Sequence, residues 1–170
     1  EPLAPYKRLL KRIIYKLDAN SNKGLYDITS YGKVSTNVYN NIYGSLSKDE
    51  SKAVSKLIGK MPLNKKMDED QTIRAAELYM KSNIQVTKNP GDGLSDLAVI
   101  NSSKVASEYG MVRLFANVFK ELGIKHQIVL TCSRNDADFE REFESYHCIN
   151  DYLIYFTDSK KYTMPSSYPY

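Results

Sequence analysis

The stretch from Glu108 to Ile124, EYGMVRLFANVFKELGI, constrains this chain more than any other. Met111, Val112, Leu114, Phe115, Ala116, Val118 and Phe119 leave almost no polar arc on a helical wheel. A helix that is apolar on nearly every side belongs inside a domain, surrounded by other elements. The pattern predicts a helix from about Ser103 to Leu122, closed by Gly123. Behind it, the run from Ile124 to Cys132 reads as a strand. A buried helix feeding a sheet makes the expected fold class α+β.

The remaining elements are expected to supply that surround. Tyr6, Leu9, Leu10, Ile13, Ile14 and Leu17 fall at helical spacing with Lys and Arg on the other face, which predicts an amphipathic helix over 6–17. The turn formers DANSNKG end it. Residues 25–44 read as irregular, with a short helix around Asn37 to Ile42. Ser47 with Glu50 forms a capping-box pattern, and Ala53, Val54, Leu57 and Ile58 mark the helix that follows, closed by Gly59. Asp68 with Gln71 repeats the device ahead of Ile73, Ala76, Tyr79 and Met80.

Thr87 to Gly93 is a turn cluster; with Asp92 and Asp96 alone nearby, it offers too few oxygen ligands for a calcium loop. The charged run RNDADFEREFE reads as a loop or hairpin excursion. Tyr146 to Ile149 and Tyr152 to Thr157 are two strand candidates joined by the turn pair Asn150-Asp151. The expected division is a helical N-terminal segment, 1–65, and an α+β core, 66–170.

Composition removes several function classes. The net charge of +4 comes with scattered rather than striped lysines, which argues against a nucleic-acid partner. No run approaches the roughly 18 apolar residues of a membrane span. Two histidines and two cysteines match no zinc spacing, so neither a metal nor another cofactor is expected. Cys132 and Cys148 fall in neighbouring predicted strands, and whether they are bridged stays open. Fourteen tyrosines provide contact area with a polar tip, which suits a peptide or glycan cleft, although strand and rim positions explain most of them. The opening EPLAPYKR and the closing MPSSYPY give the expectation of a piece cut from a longer chain.

Three pieces occur in a telling order: AAELYMKSNIQV, then Glu108-Tyr109-Gly110-Met111-Val112-Arg113-Leu114-Phe115 ending in Leu122-Gly123-Ile124, then YHCINDYLIYFTD. Over residues 68 to 165 this resembles the transglutaminase-like branch of the papain-type cysteine hydrolases. That family carries a nucleophilic cysteine at the start of a buried helix, and a histidine and an aspartate on the strands behind it. The resemblance implies a core of one buried helix against an antiparallel sheet, with His147 as the base and Asp158 as its orienter. At the cysteine position stands Glu108.

A thiolate at a helix N-terminus is stabilised by the helix dipole and by a neighbouring imidazolium, and a carboxylate cannot take over its role. Ser107 is one residue, about 100° of helix rotation, away from the aligned position. Cys148 adjoins His147, so in a strand their side chains point to opposite faces. The resemblance therefore implies a pseudoenzyme: a non-catalytic binding or scaffolding module of a larger exported bacterial protein, periplasmic or on the cell surface. A peptide or glycan chain would lie in the old cleft beside Glu108, His147 and Asp158. The competing expectation is an acyl-transfer hydrolase, a peptidase or transglutaminase, that uses Ser107 or Cys132 as a displaced nucleophile. Oligomeric state is left open.

Overall fold

The computed structural model describes residues 13–88, 93–132, 142–144 and 149–166. The chain divides into two compact units, Glu1–Asn41 with Leu130–Tyr152, and Ile42–Val129 with Leu153–Tyr170.

The first unit holds a small hairpin and most of one helix. Strands β1 (Ala19–Asn20) and β2 (Leu25–Tyr26) pair antiparallel across a single 3-10 turn, Ser21–Lys23. Asn20 caps that turn, and Gly24 closes it at φ 61, a left-handed conformation that glycine adopts without steric cost. The expected amphipathic helix over 6–17 does not reach its C-terminal end: residues 13–17 are irregular, with Ile13 79% and Leu17 62% exposed, and residues 1–12 lie outside the described residues. Helix α1 (Tyr31–Tyr43) is longer than the short helix expected near 37–42. Its stripe of Tyr31, Val34, Val38 and Ile42 is the less exposed face, at spacings of three and four.

The second unit contains the hydrophobic core. Helix α2 (Lys48–Ile58) and helix α3 (Glu69–Asn83) both begin with the expected reciprocal capping boxes. Ser47 accepts the Glu50 N–H while Glu50 accepts the Ser47 N–H, and Asp68 and Gln71 do the same. Val54, Leu57, Ile73, Ala76 and Met80 from these two helices join one core. The expected boundary near residue 65 therefore runs between two elements of the same hydrophobic cluster.

The helix expected from about Ser103 starts only at Glu108, after a strand, and a separate helix ends at Ser103. Helix α4 (Leu97–Ser103) is capped by Asp96 and stops at Lys104, whose backbone is left-handed (φ 60). Strand β4 (Val105–Ser107) then pairs in parallel with β3 (Gln85–Thr87), setting Thr87 opposite Ser107. Only after β4 does the buried helix α5 (Glu108–Glu121) begin, and nine of its residues are buried. Strands β5 (His126–Cys132), β6 (Ile149–Phe156) and β7 (Lys161–Thr163) form a sheet in that order, with β6 and β7 antiparallel. The class is α+β, as expected.

Strand β6 runs straight through Asn150-Asp151, so that pair makes no turn; the turn lies at residues 157–160 instead. Sheet pairing has overridden a local turn preference there. Phe119 meets Phe115 and Phe156 edge-on, at 5.8 and 4.9 Å between ring centroids, and so joins α5 to β6. Each fully buried ring adds about 1.5–3 kcal/mol of apolar burial.

Candidate functional site

The N-terminal end of α5 is built by one peptide carbonyl. The Ser107 N–H donates to the Leu94 carbonyl at 2.9 Å, and the Ser107 hydroxyl donates to the same oxygen at 3.2 Å. That hydroxyl also accepts the Gly110 N–H at 3.0 Å, the bond that makes Ser107 the N-cap of the helix. A Cβ on residue 110 would stand 2.1 Å from the Leu94 oxygen, so only glycine lets the 94–95 loop lie this close to the helix. A nucleophilic hydroxyl has to hand its proton to a base. The Ser107 proton instead rests on an amide carbonyl. Glu108 follows in the first turn, exposed to solvent, where a carboxylate is favoured by the helix dipole.

Asp158 does not join Glu108. It sits in the turn after β6, where Thr157 donates to one carboxylate oxygen at 3.3 Å and Lys125 reaches the other at 3.4 Å. Lys125 lies just beyond the C-terminal end of α5, and a helix of 14 residues is about 21 Å long. Glu108 and Asp158 thus stand near opposite ends of α5. The residues Asp158, Ser159 and Lys160, turn formers after an apolar strand, were the local signal for this placement. His147 and Cys148 lie outside the described residues. Cys132 is the last residue of β5 and is half-buried.

His126 is half-buried. Its ring lies 5.9 Å from Phe119 and 5.7 Å from Tyr43, centroid to centroid. Nδ1 is 2.7 Å from the Ile124 carbonyl, which can only accept, so Nδ1 carries the proton. Burial pushes this imidazole below its usual range, against the opposing effect of backbone bonds at Ile124 and Ala116.

Close to the N-terminal end of α5 lies a buried ion pair that sequence reasoning did not anticipate. Glu50 is 6% exposed, and one of its oxygens accepts from Arg113 of α5 and from the Leu97 N–H at 3.4 Å. Its other oxygen accepts the Ser47 N–H at 3.0 Å. The carboxylate therefore serves the N-termini of α2 and α4 together. Arg113 also donates to the Ser95 carbonyl at 3.0 Å, which ties the loop over Gly110 to the same pair. Burial raises the pKa of Glu50, but the Arg113 bond and the Ser47 and Leu97 N–H groups outweigh it and hold the carboxyl at about 2. One turn along α5, buried Asn117 donates to the Ile42 carbonyl at 2.9 Å and anchors the end of α1.

Among the described residues, no group of three or more His, Cys, Asp or Glu side chains is placed to hold a metal ion. None of the described helices is long and apolar enough to cross a membrane. Comparison with protein-family models, with curated proteins and with solved structures finds no match to this chain.

Proposed function

We propose that this chain is a non-catalytic binding module whose recognition surface includes the N-terminal end of α5. It takes a peptide or glycan chain there, as the resemblance to transglutaminase-like domains implies. The observation that carries this reading is the state of Ser107. Its proton and one lone pair are engaged in capping α5, and the position beside it offers a solvated carboxylate in place of a thiol. A carboxylate at a helix start can accept hydrogen bonds from amide or sugar hydroxyl donors, and binding of a neutral polymer needs no more than that.

The test is a binding screen of the full chain against peptide and glycan arrays, repeated with Glu108→Ala, beside labelling with electrophilic probes for serine and cysteine nucleophiles. Saturable binding that weakens at least several-fold in the variant, with no labelling, is the expected result. Labelling of Ser107 or Cys132 that disappears in His147→Ala would replace this reading with the acyl-transfer one. Binding indifferent to Glu108→Ala would move the recognition surface away from α5.

A further inference from the structure

At the end of the β3–β4 pair away from Ser107, a cleft of about 430 Å³ opens beside the C-terminal ends of α3 and α4. Its volume falls in the range of small-ligand sites. Ile84 and Met111, both buried, line it together with Ser82, Ser103 and Ser166. Lys81 and Lys104 also line it.

Two independent features single out Lys104. First, it holds the left-handed position after α4 (φ 60), where glycine is the favoured residue and a side chain is sterically disfavoured. A long cationic side chain stands there against the preference of the backbone. Second, its ammonium has a neutral partner, Asn101 Oδ1 at 3.1 Å, and no carboxylate partner among the described residues. Burial, then the neighbouring Lys60 and Lys56, push its pKa below the usual lysine range. An anion in the cleft would relieve that repulsion.

The remaining lining decides which anion. Two helices present their C-terminal ends here, and their partial negative charge disfavours a phosphate dianion. The lining contains no arginine for bidentate phosphate contact. Of the two lysines in the lining, Lys81 is already paired with Glu77 at 2.7 Å. That leaves the Lys104 ammonium, beside apolar surface, to match a monovalent carboxylate with an aliphatic body.

We propose that this cleft is a binding site for a small aliphatic carboxylate, with Lys104 receiving the carboxylate and Ile84 and Met111 contacting the apolar body. The cleft touches α5 through Met111, but the proposal makes no use of Glu108 or Ser107 and stands whether or not the reading of those residues holds.

The experiment is an amide-resonance titration of the full chain with 4-methylpentanoate, its uncharged amide and inorganic phosphate. We expect saturable shifts at Gln85, Lys104 and Val105 with the carboxylate, at a Kd on the order of 1 mM. The affinity should fall at least tenfold for the amide and in Lys104→Gln, and persist in Lys104→Arg. Absence of saturable shifts at these amides overturns the proposal, as does equal affinity for carboxylate and amide. Equal or stronger perturbation by phosphate overturns the choice of ligand. The comparison of carboxylate with amide uses the unaltered protein and so does not depend on any variant folding.

Discussion

The two ends of the α2–α4 pair handle charge in opposite ways. At the N-terminal end, Glu50 meets Arg113 and the N–H groups of Ser47 and Leu97, so the carboxylate is matched entirely from within. At the C-terminal end, Lys56, Lys60 and Lys104 interact unfavourably, with only an amide oxygen bonded to Lys104. A buried charge completed by its own fold is a structural part, because removing either partner strands the other. A charge left with like neighbours beside an open cleft is held in place by the backbone and gains its counter-ion from outside. The contrast separates what this fold needs from what it can offer.

The comparison is most easily broken at Arg113. Arg113→Met removes the guanidinium while keeping an unbranched side chain, and leaves the Glu50 carboxylate buried without its cation. The expected loss is about 3–5 kcal/mol in chemical denaturation. Lys60→Met at the other end should stay within about 0.5 kcal/mol of the wild type. Equal effects at the two ends would show that the Glu50 pair is as dispensable as a surface charge.

Acid sharpens the same point with a smaller effect. The pKa of Glu50 is held at about 2 in the folded chain against 4.5 as a free group, so between those values the unfolded chain binds more protons. Its contribution to stability is fully present above pH 4.5 and is lost as pH falls towards 2. His126, also depressed, loses its contribution from its ordinary pKa of 6.5 downward. That loss is common to the wild type and to Arg113→Met, so it cancels in their difference. The stability gap between the two proteins, followed by urea denaturation, should therefore narrow from about pH 6 to about pH 3. A constant gap would mean that Arg113 acts through packing alone.

What the sequence made legible follows from the range of each interaction. Ser47 with Glu50 and Asp68 with Gln71 were visible because a capping box closes within one turn. The burial of α5 was visible because its apolar residues cover most of the wheel. The break between α4 and α5 was hidden: Ser103-Lys104-Val105 contains neither glycine nor proline, and the stop depends on a lysine held at positive φ. The later start was signalled by Ser107 followed by an acidic residue, a usable N-cap pattern. Asparagines at 37, 40 and 41 masked α1, although its three-and-four spacing was present. The end of α5 that the resemblance singles out was locatable, but its partners were not. Glu50 and Arg113 are 63 residues apart, and Leu94 reaches Ser107 across another helix. Asp158 looked like a partner in order along the chain, and the turn after β6 carries it to the other end of α5.

The smallest expected effect is the most discriminating, because its two readouts move in opposite directions. Lys104→Gly relieves a left-handed backbone of its side chain, and the gain is set against the extra freedom glycine has in the unfolded chain. A net stabilisation of roughly 0.5 kcal/mol is expected in denaturation, since the ammonium gives up only a neutral hydrogen bond and two repulsions. The same variant should lose the titration response to 4-methylpentanoate. A lysine kept only to complement the negative end of α4 would behave otherwise: its removal would cost about 0.3–1 kcal/mol of dipole interaction and leave any ligand response unchanged. Stability up with binding down identifies Lys104 as a residue retained for what enters the cleft, at the expense of the helix it terminates.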